Sequence, residues 1–173
     1  VEKASGMTFA EFLTRSIFAP LGMKKTFVTD RAAAPARHRA FGYSRRDGRF
    51  TRTDQSLTSY VRGDGGIYST LDDLRKWETA LTRATLLPRA VLDQSMLPAI
   101  ATDRPHVSYG WGWYVGKHGG ADAVWHDGTT TGFRNHILRL PGQNLTVVLL
   151  TNRSDAQPAT LAGKLADLYL TQK

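Results

Sequence analysis

Phe133-Arg134-Asn135-His136-Ile137-Leu138-Arg139-Leu140 and Leu145-Thr146-Val147-Val148-Leu149-Leu150-Thr151 read as two long strands, joined by the turn Pro141-Gly142-Gln143-Asn144. Aliphatic and β-branched residues dominate the two runs, and Pro-Gly followed by Asn is turn chemistry. The second run is apolar on nearly every residue. Such a strand belongs inside a sheet covered on both faces, because a bare edge of this composition invites aggregation. The first run supplies one neighbour. A second neighbour for 145–151 is expected from elsewhere, either a further N-terminal segment or a partner chain.

Upstream, Tyr109-Gly110-Trp111-Gly112-Trp113-Tyr114-Val115 alternates as a strand should, with Trp111, Trp113 and Val115 on one face. Residues 117–121 form a glycine-rich turn and 123–126 a short strand. Downstream, 159–170 reads as a helix with Leu161, Leu165, Leu168 and Tyr169 facing inward. The first half is helical and irregular. Gly6 ends a helix over 1–5, and Thr8 with Glu11 forms a capping box for the next, which Pro20 and Gly22 stop. Residues 23–29 read as a short extended piece. Residues 30–62 read as loop with a hairpin at Asp47-Gly48. Asp64-Gly65-Gly66 is a tight turn whose glycines serve backbone geometry, and Thr70 then caps a helix with Leu71, Leu74, Trp77 and Leu81 on its apolar face. Pro88 opens a short helix through Met96, and 98–107 is connector.

The length of 173 residues fits one domain with a packed core, and a hydrophobic fraction of 41% argues against disorder. The chain has no cysteine, which excludes a disulfide framework, a thiolate metal site and a cysteine nucleophile. His38, His106, His118 and His136 show no metal-ligand spacing, so neither a metal nor a cofactor is expected. No apolar run approaches the about 20 residues of a membrane span. The formal charge is +8, with Arg31, Arg37, Arg39, Arg45, Arg46, Arg49 and Arg52 opposed in their segment by Asp47 alone. A polyanion or nucleic acid could use that segment through phosphate contacts. No helix-turn-helix, zinc finger or aromatic RNA-binding strand accompanies it, so a solvated arginine-rich loop is the favoured reading.

The order and spacing of these pieces resemble the C-terminal half of the serine β-lactamase-like hydrolases: class C β-lactamases, D-alanyl-D-alanine carboxypeptidases and esterases of the penicillin-binding-protein fold. The run 1–23, the turn and helix over 63–77, Tyr109-Gly110-Trp111-Gly112-Trp113, His126-Asp127-Gly128 with Gly132-Phe133, and 145–152 carry the resemblance. It implies an α+β fold of the β-lactamase-like type, incomplete here, with C-terminal antiparallel strands, a C-terminal helix and an irregular helical region. Residues 1–173 would form one incomplete domain, 1–107 helical and loop and 108–173 the strands and terminal helix. The family is often periplasmic or secreted, which leaves the compartment of this chain open.

The resemblance implies nucleophilic acyl transfer on an amide or ester: a β-lactam, a D-amino-acid peptide or a carboxylic ester. The family's nucleophile sits in Ser-x-x-Lys and its tyrosine in Tyr-x-Asn. Neither motif occurs in this sequence. The chain is therefore expected to be the C-terminal part of a larger enzyme and silent alone, its small-molecule or peptide substrate belonging to the complete protein. The third motif is present. His126 takes the cationic or hydrogen-bonding position, and the Thr129 N–H supplies half of an oxyanion hole. Gly128 admits substrate to the backbone, and Asp127 stands where the family has Thr, Ser or Gly. Arg134 and Asn135 are candidates for a substrate carboxylate. The plainer readings are a strand-end histidine satisfied by Asp127 or a backbone carbonyl, and core tryptophans. Two other functions compete: a non-catalytic binding or scaffold module of the same fold, and a polyanion binder using 31–52.

Overall fold

A computed structural model describes residues 1–29, 39–54, 56, 59 and 61–171. Its centre is an antiparallel sheet of strand order β10-β9-β8-β7-β6-β5. The strands are β5 (Ile100–Ala101), β6 (Ser108–Tyr109), β7 (Tyr114–His118), β8 (Ala121–Thr130), β9 (Phe133–Leu140) and β10 (Leu145–Thr151). The last two match the sequence reading residue for residue. Between them Pro141–Gln143 makes one 3-10 turn that Asn144 closes with φ 48°. β8 runs on through His126-Asp127-Gly128 to Thr130, well past the expected end at 126. Its register on β9 pairs Val124 with Arg139, Trp125 with Leu138 and Asp127 with His136.

Helices cover the sheet. On one face α5 (Pro158–Leu170) lays Ala162 and Ala166, both fully buried, against Ala123, Leu138 and Leu140. Leu145, Val147 and Leu149 of β10 complete this cluster. Leu161, Leu165, Leu168 and Tyr169 instead face outward, 40–60% exposed, which reverses the expected orientation of the helix. The reason is packing distance. Alanine lets the helix backbone approach the sheet, and the leucine stripe is left on the far side. α3 (Leu71–Arg83) is tied to the sheet by buried Arg139, whose guanidinium donates to both carboxylate oxygens of Glu78 at 2.7 and 2.9 Å. Leu71 is exposed, so the apolar face expected for α3 loses its first member.

Tyr109–Val115 is not one strand. Gly110–Trp113 folds into a turn, with the Gly110 N–H donating to the Trp113 carbonyl at 2.7 Å. β6 and β7 therefore lie side by side, Tyr109 opposite Tyr114, and Trp111 is 57% exposed. The expected connector over 98–107 contributes β5, which pairs with β6.

The N-terminal part follows its local signals. α1 (Glu2–Ser5) ends at Gly6 in the left-handed region, and Thr8 and Glu11 form the capping box of α2 (Phe9–Leu13). A π-helical turn, Thr14–Phe18, continues α2. β1 (Phe27–Val28) pairs with β4 (Ile67–Tyr68), a strand the sequence reading missed. β2 (Tyr43–Arg46) and β3 (Arg49–Arg52) form the expected hairpin over Asp47-Gly48. α4 (Arg89–Ser95) follows Pro88.

One buried carboxylate joins these parts. Thr70 caps α3 by accepting from the Asp73 N–H. The Asp73 side chain accepts from the Lys25 N–H at 2.7 Å, the Thr26 hydroxyl at 3.0 Å and Lys76 Nζ at 2.7 Å. Burial pushes its pKa up, but Lys76 and these neutral donors together hold it below the ordinary value. A lowered folded pKa contributes stability that is complete above the unfolded value and lost as pH falls through the folded one. Asp73→Asn should lower stability near neutral pH by on the order of 1–3 kcal/mol. Its deficit relative to wild type should shrink below about pH 4, as urea titrations at neutral and acid pH will show. The orientation of α5 makes a second prediction. Ala166→Leu should destabilise by about 1–3 kcal/mol through overpacking, while Leu165→Gln should stay within ~0.5 kcal/mol by the same measurement.

Candidate active site

β7 accompanies β8 only as far as the Tyr114–Trp125 pair. From His126 to Thr130, β8 is paired with β9 on one side, and among the described residues no strand lies along the other. Among the described residues, the His-Asp-Gly motif thus lies where β8 has no strand neighbour on its second edge. Alternation along a strand sends neighbouring side chains to opposite faces, and it separates the candidate residues into two groups.

His126 has both ring nitrogens engaged. Nδ1 lies 2.8 Å from the Asp127 carbonyl oxygen and Nε2 lies 2.9 Å from the Tyr109 hydroxyl. The Tyr114 ring stacks on the imidazole at 5.6 Å between centroids. Asp127 points to the opposite face, where its carboxylate accepts from Nδ1 of the buried His136 at 2.8 Å. The carboxylate of Asp127 therefore does not share the face of His126.

Gly128 and Thr129 are exposed on the open stretch. Among the described residues, a Cβ on Gly128 would meet only Asn135, at 3.5 Å. Asn135, opposite Gly128, has its side-chain oxygen occupied by the Thr151 N–H at 3.0 Å. Arg134, opposite Thr129, donates to the carbonyls of Thr130 and Phe133, so its guanidinium braces the β8–β9 turn. Ser59 hydrogen-bonds Thr130 Oγ1. The sequence reading assigned no part here to Tyr109, Ser59 or His136. Tyr109 was visible only as the residue before Gly-x-Gly, and Ser59 carried no motif.

The arginine-rich segment is partly internal structure. Arg39 forms a two-pronged ion pair with Asp54, which also accepts from the Gly42 N–H at 3.0 Å. The Arg39 hydrogen bonds hold the Asp54 carboxyl below its ordinary pKa. Arg52 lies over the Phe41 ring at 3.6 Å. Arg45, Arg46 and Arg49 are exposed on the hairpin, and Arg31 and Arg37 lie outside the described residues.

Two shallow clefts, of about 540 and 700 Å³, lie away from His126. The first, between α3, α4 and the β9–β10 turn, is lined by Arg75, Arg83, Arg89 and Arg139 with Glu78. Among the described residues, no group of three or more His, Asp or Glu side chains could hold a metal ion, and no helix is long and apolar enough to cross a membrane.

Comparison with known proteins identifies the family of the chain. The family model described as Beta-lactamase matches residues 1–171. Penicillin-binding protein 4* of Bacillus subtilis (strain 168) is 29% identical over 167 residues, covering 90% of this chain and 37% of that protein. A D-aminopeptidase of Gluconobacter oxydans (strain 621H) is 28% identical over 168 residues, covering 96% of this chain and 31% of the enzyme. The chain thus spans about a third of the length of these curated relatives. In fold it is similar to the octameric penicillin-binding protein homologue from Pyrococcus abyssi, with a TM-score of 0.87 and 23% identity over 98% of this chain and 39% of that one.

Proposed function

Because this chain belongs to the beta-lactamase family, we propose that it forms the substrate-edge part of a serine hydrolase that cleaves an amide or ester through an acyl-serine. The substrate classes are a β-lactam, a D-amino-acid peptide or a carboxylic ester. The observation that carries the reading is the stretch of β8 over 126–129, along which no described strand lies on the side away from β9, with an exposed Gly128 within it. An acyl group lying along that edge meets backbone donors and acceptors, and Gly128 sets no side chain in its way. In the reaction a serine oxygen bonds to the carbonyl carbon and the carbonyl becomes an oxyanion, toward which the Thr129 N–H donates. Collapse breaks the bond to the leaving amine or alcohol, which departs with a proton, and water then releases the acid from the serine. His126 stands beside the reacting group. Asn135 keeps its amide nitrogen on the same face, while Arg134 and Asp127 support the strand pair from behind.

The sequence contains neither Ser-x-x-Lys nor Tyr-x-Asn, so the serine and its base come from polypeptide other than this chain. Two surfaces support such an addition. β10 pairs with β9 alone among the described strands, and the leucine stripe of α5 is exposed beside it. A further N-terminal segment or a partner chain would add a strand to β10.

Chromogenic β-lactam and p-nitrophenyl ester assays of the chain should show no His126-dependent turnover. Nuclear magnetic resonance titration with D-phenylalanine amide should move the Gly128, Thr129 and Thr130 amides. Gly128→Val should weaken that binding at least ~10-fold, the equivalent of one backbone hydrogen bond. Burst acylation of the chain would overturn its inactivity. Undisturbed amides at 128–130, with salt-sensitive retention on heparin instead, would overturn the substrate-edge reading in favour of a polyanion binder.

A further inference from the structure

We propose that Tyr109 is the positioning residue of this site, holding the His126 imidazole with its proton on Nδ1 and, in the neutral ring, with Nε2 accepting from the Tyr109 hydroxyl. The relevance to catalysis rests on the reading of His126 given above. The hydrogen-bond geometry that carries the inference stands without it.

The tautomer follows from what each partner can do. Nδ1 is 2.8 Å from the Asp127 carbonyl oxygen. A carbonyl only accepts, so Nδ1 carries the proton. In the neutral ring Nε2 is then a lone pair, and the hydroxyl of Tyr109 at 2.9 Å is its donor. The aromatic rings fix the plane of the imidazole. Tyr114 stacks on it at 5.6 Å and 28°, and Tyr109 meets both rings edge-on, at 5.9 Å from His126 and 5.0 Å from Tyr114. With one nitrogen tied to the backbone and one face covered, the phenol sets where the remaining lone pair points.

Tyr109 is itself held on every side. Its backbone is paired with Ile100 of β5 and with Tyr114 of β7. The next residue, Gly110, has no room for a side chain, since a Cβ there would come within 2.6 Å of the Ser95 carbonyl oxygen and 2.8 Å of that of Leu97. The Trp111 N–H donates to the same Ser95 carbonyl at 2.9 Å, anchoring the turn to the end of α4. The Gly-Trp-Gly-Trp turn therefore serves as a mount for the phenol. A group that seeks a proton from Tyr109, or brings one to Nε2, has to break the Tyr109–His126 bond first. Chemistry at His126 thus depends on a residue 17 positions away on another strand.

The test uses the full chain labelled with ¹⁵N-histidine. The wild type should show His126 protonated on Nδ1, with Nε2 carrying the signature of a hydrogen-bonded acceptor. In Tyr109→Phe, Nδ1 should stay protonated while Nε2 moves to the position of an unbonded acceptor. Carbethoxylation at Nε2 should become about tenfold faster, the factor that loss of one hydrogen bond implies. Tyr114→Leu should leave the Nε2 signature in place, which separates positioning by Tyr109 from general loosening of the aromatic cluster. Wild-type His126 protonated on Nε2, or an Nε2 resonance unchanged in Tyr109→Phe, would overturn the proposal. Titration with D-phenylalanine amide is read separately. If the tautomer result holds and no amide at 128–130 moves, the proposed function fails and the Tyr109–His126 link stands.

Discussion

The register of β8 on β9 is the constraint on which the rest of the molecule depends. A slip of one residue would exchange the two faces of β8. His126 would turn toward α5, and Asp127 would take its place and leave His136. Asp127 with His136 opposes that slip directly, while Arg139 with Glu78 fixes which face β9 turns to α3. A polar pair with a buried member contributes little net stability but is expensive to break. Such pairs select one alignment among several that the apolar residues alone would tolerate. The Thr130–Phe133 pair at the turn, braced by Arg134, fixes the same alignment from the end.

The features legible in the sequence were those written in neighbouring residues. Capping at Thr8 and Thr70, the Asp47-Gly48 hairpin, and the limits of β9, β10 and α5 all rest on contacts a few positions apart. What was not legible depends on partners far along the chain. β4 and β5 are two residues long and carry no period to detect. The alternation of Tyr109–Val115 was real, yet Gly110 and Gly112 outweighed it. In α5 the hydrophobic scale pointed the wrong way. Leucine is the more apolar residue, but alanine permits the close approach that β8 and β9 offer.

The same distinction governs the site. His126-Asp127-Gly128 is a contiguous motif and could be found from sequence. The residue that orients its histidine comes from β6, and the hydroxyl at its far end from Ser59. That Asp127 serves the back of the sheet follows from strand alternation, provided the motif is known to lie within a strand and not at the end of one. The reading of 123–126 as a short strand hid this, because it ended the strand before Asp127.

Glycine placement separates internal demands from external ones. Gly110 and Gly132 are crowded by backbone: a Cβ would meet the Ser95 oxygen at 2.6 Å in the first case and the Gly42 Cα at 2.6 Å in the second. The folded chain itself requires glycine at both. Gly128 is different. Its φ is not positive, and a Cβ would find only Asn135, at the distance of ordinary contact. A glycine inside a strand costs about 0.5–1 kcal/mol relative to alanine, and among the described residues nothing crowds position 128 enough to require it. Under the proposed function the demand comes from a substrate lying close to the β8 backbone. β7 stops short of this stretch, so the position where a side chain is missing lies where no described strand flanks β8 on that side.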